Sequence, residues 1–73
     1  MKDIKISDLQ RLIKTLDNGI GTTEGYFYKL TEEVGELSKA MRKNIRLNNT
    51  GDIKGTIEEE LYDVLYYVVC IAN

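Results

Sequence analysis

The 73-residue sequence contains no histidine, no proline and no tryptophan, and it has a single cysteine. One cysteine cannot form an intrachain disulfide. Because the usual zinc ligands are histidines and paired cysteines, a zinc site of the common types is excluded as well. A domain of this size that lacks both kinds of cross-link often completes its core by oligomerising. We therefore expect one small domain, residues 1–73, that associates with further copies of itself.

The sequence has neither a basic excess nor a long apolar run. Its 10 basic and 12 acidic residues give a net charge of −2, whereas nucleic-acid-binding domains usually carry a basic excess. The longest uncharged stretch, Val64–Asn73, is about half of the roughly 20 residues that a membrane span needs. The first residues, Met1-Lys2-Asp3, lack the apolar segment of a secretory signal. We expect a cytoplasmic protein that binds neither nucleic acid nor membrane.

Apolar residues recur at helical spacing in three segments of the chain. The first predicted helix spans about Asp8–Leu16, the second spans about Thr23–Asn44, and the third begins near Thr56. A glycine-containing turn and the polar loop Arg46–Lys54 connect them. The predicted fold is all-α: an N-terminal helix and a helical hairpin form a three-helix protomer, which completes a four-helix-type bundle by oligomerisation. The third helix ends without glycine or basic residues, so either it frays there or the natural protein continues beyond Asn73, and we favour the continuation.

Local signals predict the helix ends and faces. Ser7 with Gln10, and Thr56 with Glu59, each match a capping box. Gly35 costs about 1 kcal/mol relative to alanine inside a helix, which suggests a close helix contact or room for a ligand; the alternative is a tolerated glycine on a face that never packs. The expected apolar stripes are Leu9, Leu12, Ile13 and Leu16 on the first helix, Phe27, Leu30, Val34, Leu37 and Met41 on the second, and Ile57, Leu61, Val64, Leu65, Val68 and Ala72 on the third.

Two groups of carboxylates lie at the borders of these stripes. Glu33 and Glu36 are one turn apart on the second helix, as are Glu60 and Asp63 on the third. Packing through the apolar stripes would bring the two pairs face to face, where like charges require protons, basic partners or a cation. Because only oxygen ligands are available, the sequence favours Mg²⁺ or Mn²⁺. The alternative is two solvated helix faces, since glutamate favours helices and their N-termini.

The pattern Glu32-Glu33-x-x-Glu36, followed after 23 residues by Glu60-x-x-Asp63, resembles the acidic motif of the MazG-like all-α nucleotide pyrophosphohydrolases. The resemblance implies Mg²⁺-dependent hydrolysis of a nucleoside triphosphate to the monophosphate and pyrophosphate, in nucleotide house-cleaning. It also implies that four acidic residues are the metal ligands: Glu33, Glu36, Glu60 and Asp63. Glu32 would hold a further ion or orient the attacking water. The resemblance also implies homodimers or homotetramers.

A nucleotide also needs cationic partners for its phosphates and a surface for its base. Lys29 lies about 40° from Glu33 around the second helix and is the preferred phosphate contact. Tyr26, at the start of the same helix, is the preferred base contact. Because the chain has no histidine, a carboxylate has to act as the general base. Further cations within reach of the helix ends or the loop are Lys39, Lys43, Arg46 and Lys54.

Two other functions stay open on the sequence alone. One is a non-catalytic helical module that uses the acidic pairs for ion-stabilised self-association. The other is an enzyme of the same fold that acts on a different pyrophosphate compound, such as phosphoribosyl-ATP. Nothing in the sequence sets a preference for a base or a sugar.

Overall fold

A computed structural model describes residues 3–17, 21–48 and 51–73. Over these ranges the chain forms three α-helices and no strand: α1 (Ile6–Leu16), α2 (Thr23–Lys43) and α3 (Ile57–Ala72). Helices α2 and α3 form a hairpin, and α1 packs against α3. The all-α prediction of an N-terminal helix plus a hairpin is confirmed. Residues 1–2, residues 18–20 of the predicted turn and residues 49–50 of the predicted loop lie outside the described residues.

Helix α1 begins two residues earlier than predicted. Its N-cap is Lys5, which makes no side-chain cap hydrogen bond. The amides of Asp8 and Leu9 donate to the Lys5 carbonyl, at 3.0 and 3.2 Å, so the helix is already formed at that point. The predicted capping box of Ser7 and Gln10 is therefore wrong, because Ser7 lies inside the first turn.

Helix α3 begins at the predicted cap. The Thr56 hydroxyl accepts a hydrogen bond from the Glu59 amide at 3.2 Å. The Glu59 carboxylate accepts from the amide of Gly55 at 2.7 Å, one residue before the expected partner. The Thr56 amide donates instead to the Ile53 carbonyl at 3.1 Å. Half of the predicted capping box is thus confirmed, and the other half is shifted by one residue.

The connector between α2 and α3 is held by hydrogen bonds to the start of α3. The Ile57 amide donates to the Ile45 carbonyl at 2.8 Å. The Glu58 carboxylate accepts from the Leu47 amide at 2.9 Å and lies 2.8 Å from the Arg46 guanidinium. The hydrogen bond from the Leu47 amide is the main cause that holds the pKa of Glu58 below its usual value, and the Arg46 charge acts in the same direction. This connector fixes how α2 and α3 approach each other.

The core of the protomer is small. Ile13 of α1 is buried against Val69 and Cys70 of α3. At the end of α3, the Asn73 side chain donates to the Gln10 carbonyl at 3.1 Å. No large side chain of the described residues is less than 2% exposed. None of α1, α2 and α3 combines the length and the hydropathy that a bilayer span requires.

The predicted apolar stripe of α2 is only partly correct. Phe27, Val34 and Met41 are 53%, 49% and 59% exposed, whereas Ala40 is buried and Glu33 is half-buried. Helix α3 therefore covers the side of α2 that carries Glu33 and Ala40. The prediction failed because one protomer buries only one side of each helix, and apolar spacing cannot show which side that is. On α3 four predicted stripe residues are likewise exposed, namely Leu61, Leu65, Val68 and Ala72.

Gly35 lies on a side of α2 that has open space around it. A Cβ atom placed there would have no neighbour within 4 Å among the described residues. The expected close helix contact is therefore not made within the protomer. Within the single chain, Gly35 instead fits the alternative prediction of a tolerated glycine on a helix face that does not pack.

We predict that Gly35→Ala raises the melting temperature by about 5 °C. Alanine is favoured over glycine in a helix by about 1 kcal/mol, and the added methyl group enters open space. Gly55→Ala is the matched control: its site is equally open, but its φ of +79° favours glycine, so the same change should lower the melting temperature. Thermal unfolding followed by circular dichroism measures both variants. A lower melting temperature for Gly35→Ala contradicts the prediction.

Candidate metal centre

Carboxylates from both helices of the hairpin converge at one place. Glu33 lies in the middle of α2, and Glu60 and Asp63 lie one turn apart at the start of α3. One carboxylate oxygen from each of the three residues lies within 4.8 Å of the other two. Side chains three apart on a helix share a side, so α3 presents both of its acids to the seam with α2. We call these three residues the carboxylate cluster.

Glu60 is the buried member of the carboxylate cluster. It is 8% exposed, and its Oε2 atom is buried without a hydrogen-bond partner among the described residues. An ionised carboxylate that is removed from water without a partner costs several kcal/mol. The buried oxygen therefore requires either a proton or a cation.

The crowding of the cluster changes the acidity of its members. Burial, the hydrogen bond with Glu33 and the charges of Glu33 and Asp63 raise the pKa of Glu60 to about 7. Burial and the charges of Asp63 and Glu36 also raise the pKa of Glu33, although its hydrogen bond with Glu60 acts in the opposite direction. Both directions show that the crowded cluster disfavours the ionised forms of Glu33 and Glu60 when no cation is bound.

The donor atoms of the carboxylate cluster fit a hard divalent cation. All of them are oxygens, which suit Mg²⁺ and Mn²⁺. Octahedral Mg²⁺ with ligands at about 2.1 Å places its ligand oxygens about 3 to 4 Å apart, and the cluster oxygens lie within a comparable 4.8 Å. Mg²⁺ usually keeps several waters and accepts substrate phosphates, so three protein ligands are enough. The Oε2 atom of Glu60 is the group that such an ion would satisfy.

Glu36, the fourth predicted ligand, lies outside the group of three. It is exposed on α2, one turn after Glu33, and with Glu60 it lines a cavity of about 240 Å³. Its charge still raises the pKa of Glu33. Glu36 therefore lies next to the carboxylate cluster, on the side of the cluster that faces this cavity.

Glu32 and Lys29 form an ion pair on the solvent side of α2. The Lys29 Nζ atom lies 3.5 Å from a Glu32 carboxylate oxygen, and the two side chains are 59% and 66% exposed. Successive residues of an α-helix project about 100° apart, so Glu32 faces solvent while Glu33 faces α3. Neither Glu32 nor Lys29 belongs to the carboxylate cluster.

Tyr26 joins the connector between α1 and α2 to the core. Its hydroxyl donates a hydrogen bond to the Asp17 carboxylate. The hydrogen bond to Asp17 raises the pKa of Tyr26 to about 12. Its ring lies 6.3 Å from the ring of Tyr67, between centroids, and packs against the small core. Tyr26 lies on the same side of α2 as Glu33, two turns or about 10 Å away along the axis.

The cavity beside the carboxylate cluster was missed by the sequence analysis. Its lining includes Lys39 and Lys43 of α2, in addition to the acids Glu36 and Glu60. The signal that could have found it is the spacing of three and four residues from Glu36 to Lys39 and on to Lys43, which places these side chains on one side of α2. The sequence analysis chose Lys29 as the phosphate contact because Lys29 is closer to Glu33 around the helix, and it therefore gave no weight to this spacing.

In the absence of divalent cations, we predict that stability decreases as the pH rises. The pKa of Glu60 is about 7 in the folded chain, against 4.5 for an ordinary glutamate. The folded state therefore binds this proton more tightly, and the resulting stability is complete below 4.5 and is lost as the pH rises through about 7. We expect the melting temperature in EDTA to fall by about 10 °C between pH 5 and pH 8.

The matched variant for this measurement is Glu60→Gln. Its amide carries no charge at either pH, so its melting temperature should fall much less over the same interval. Added Mg²⁺ should restore the wild-type melting temperature at pH 8, since it binds the folded chain in place of the proton. An identical pH dependence in the two proteins contradicts the assignment to Glu60.

Comparisons with known proteins agree with this geometry. Residues 21–73 match the family model of the MazG nucleotide pyrophosphohydrolase domain. Two crystal structures of iMazG from Vibrio DAT 722, one N-tagged and one C-tagged, are each 52% identical to this chain and cover 96% of it, with TM-scores of 0.82 and 0.81. The chain covers 76% and 79% of those two proteins. The uncharacterized protein YpjD of Bacillus subtilis (strain 168) is 33% identical over 75 residues, which span 100% of this chain and 67% of YpjD.

The family match includes both helices of the hairpin and all members of the carboxylate cluster. The iMazG structures extend the similarity to nearly the whole chain. The chain belongs to the MazG nucleotide pyrophosphohydrolase domain family.

Proposed function

We propose that this chain is a Mg²⁺-dependent pyrophosphohydrolase that converts nucleoside triphosphates to monophosphates and pyrophosphate, in nucleotide house-cleaning. The observation that carries the proposal is the buried, unpartnered Oε2 atom of Glu60 inside an all-oxygen cluster. Such an atom calls for a cation, and a hard cation among carboxylates suits phosphate chemistry. Membership of the family supports the class of reaction.

The reaction consumes one water and breaks the bridge between the α- and β-phosphates. A water oxygen forms a bond to a phosphorus atom that flanks the bridge, and the bond from that phosphorus to the bridging oxygen breaks. The bridging oxygen keeps the electron pair, and a proton of the water passes to a base. A bound Mg²⁺ ion would offset the phosphate charge and stabilise the charge that develops on the bridge.

The residues of the chain divide into ion ligands and a base. Glu33, Glu60 and Asp63 would hold the ion, with Glu36 as a further ligand at the cavity. Glu32 is the candidate base, or the ligand of a further ion, because it is adjacent in sequence to the cluster but remains exposed. Its ion pair with Lys29 lies in solvent and costs little to break.

Two further residues are proposed to contact the substrate. Lys29 would contact a phosphate, which would replace Glu32 as the ion-pair partner of its ammonium group. Tyr26 would contact the base, and its ring already lies against Tyr67 of α3, so the two rings form an aromatic surface on the seam between α2 and α3.

We predict that Glu60→Gln and Asp63→Asn each reduce pyrophosphate release by at least about 100-fold, since each removes a ligand charge from the ion. Glu24→Gln removes a carboxylate from the exposed first turn of α2 and should leave activity unchanged. The measurement is pyrophosphate release from a panel of canonical and modified nucleotides with Mg²⁺, with Mn²⁺ and with EDTA. Circular dichroism establishes that each variant is folded.

The same panel separates the alternatives. If the wild type releases pyrophosphate from no nucleotide, yet Mg²⁺ raises its melting temperature, the chain is a non-catalytic helical module. Turnover of phosphoribosyl-ATP, included in the panel, without turnover of any nucleoside triphosphate would assign the other substrate class. Full activity in EDTA would contradict the role of the carboxylate cluster.

We also propose that the protein is a homodimer or homotetramer. Apolar residues on α2 and on α3 are exposed in the protomer, where no large side chain of the described residues is completely buried. A small domain with so shallow a core gains most from burying these residues against another copy. The residues concerned are Phe27, Val34 and Met41 on α2, and Leu61, Leu65 and Val68 on α3.

Sedimentation equilibrium tests this proposal. We expect the wild type at two or four times the 8.4 kDa mass of the chain. Val34→Asp places a charge among the exposed apolar residues of α2 and should shift the protein toward the monomer. Ser7→Glu, an exposed position on α1, is the control and should keep the wild-type mass. A wild type that sediments as a monomer at all concentrations contradicts the proposal.

A further inference from the structure

The cavity beside the carboxylate cluster has a size and a position of its own. It has a volume of about 240 Å³ and lies where the second half of α2 meets the connector and the start of α3. Its lining includes Lys39 and Lys43 of α2, Gly55 of the connector and Glu60 of α3. Pockets that bury drug-sized ligands usually have about 300–1,000 Å³. The cavity therefore fits part of a nucleotide rather than a whole one.

The two lysines of the cavity have no acidic partner in the described part of the chain. Neither ammonium group has a carboxylate oxygen within 4.0 Å, in contrast to Lys29, which is paired with Glu32. Side chains four apart on a helix are neighbours, so the two positive charges repel each other unless an anion lies between them. The helix dipole favours a cation in the last turn, which accounts for Lys43 but not for Lys39, one turn earlier.

Glu60 supplies an independent observation at the same cavity. It is more than nine-tenths buried, it lines the cavity, and its Oε2 atom has no hydrogen-bond partner in the described ranges. A cation that satisfies this atom would share the cavity with Lys39 and Lys43. A diphosphate group has enough oxygens to contact the cation with some and the ammonium groups with others.

We propose that this cavity is a diphosphate subsite, in which Lys39 and Lys43 bind the β- and γ-phosphates that become pyrophosphate. The inference rests on the proposed function and identifies Lys39 and Lys43 as the residues that bind the product pyrophosphate. It also gives the nucleotide a direction along α2. The phosphates lie toward the connector, the scissile bridge lies at the carboxylate cluster, and the base lies toward Tyr26.

The test is calorimetric titration of inorganic pyrophosphate into the full chain in excess Mg²⁺, which requires no turnover. Lys39→Gln and Lys43→Gln should each weaken pyrophosphate binding by about tenfold, because each removes charge-assisted hydrogen bonds. Both side chains are exposed, so the fold should be kept. Lys14→Gln removes the same charge from exposed α1 and should bind pyrophosphate as the wild type does. The double arginine variant, Lys39→Arg with Lys43→Arg, should restore most of the affinity.

Two further readouts locate the effect. Binding of AMP, CMP, GMP and UMP should be unchanged in both glutamine variants, since a monophosphate does not reach the subsite. The increase in melting temperature that Mg²⁺ alone produces should also be unchanged, because the lysines are not ligands of the ion. A variant that loses the Mg²⁺ effect together with pyrophosphate binding would show damage to the carboxylate cluster and would overturn the assignment.

The inference is also overturned if the glutamine variants bind pyrophosphate as the wild type does, if they weaken monophosphate binding equally, or if the wild type does not bind pyrophosphate in Mg²⁺. Failure of the proposed function gives a different result, namely no turnover of any nucleotide by the wild type. Pyrophosphate binding that depends on the two lysines would then still support the subsite.

Discussion

The approach of three carboxylates across the seam of one helical hairpin is the constraint on which the rest of the structure depends. Glu33, Glu60 and Asp63 repel one another when ionised, so the contacts on either side of them must hold α2 and α3 together. On one side the connector does this through the hydrogen bond between the Ile57 amide and the Ile45 carbonyl. On the other side the ring of Tyr26 on α2 contacts the ring of Tyr67 on α3 and packs against the small core. The cluster therefore lies between two points at which the hairpin is fixed.

The small core follows from the same arrangement. A carboxylate that faces the seam occupies a position that an apolar side chain would take in a helix pair built only for stability, and here Glu33 and Glu60 both do so. Apolar burial is then concentrated at the ends of the hairpin, around Ala40 and Ile57 near the connector and around Val69 at the other end. Because so little apolar surface is buried inside one protomer, the remaining apolar sides of α2 and α3 are the available source of further stability.

Sequence reasoning located the helices and three carboxylates that converge, Glu33, Glu60 and Asp63. It failed where the answer depended on tertiary packing. Periodicity and the Thr56 cap were sufficient for the bounds of α2 and the start of α3, because both are local properties. The Ser7 cap was wrong because Lys5 already provides the first helical carbonyl. The stripe of α2 was misplaced because α3 covers the side with Glu33 and Ala40, which no spacing rule distinguishes from the adjacent apolar side. Glu36 lies at the cavity that borders the cluster, and its role as a metal ligand stays a prediction.

The position of Glu60 also explains why a proton and a cation are alternatives at this site. Burial and its acidic neighbours raise the pKa of this carboxyl to about 7, so near neutral pH the ion-free chain carries the proton in part of its molecules. A divalent cation requires the ionised form and must therefore displace that proton. The cation reverses the local electrostatics, because the charges of Glu33 and Asp63 that oppose ionisation of Glu60 become favourable once all three surround a positive ion. Without an ion, the repulsion among these carboxylates destabilises the hairpin. The folded hairpin nevertheless holds the three ligands close together, so the free energy of folding, and not that of ion binding, overcomes their repulsion.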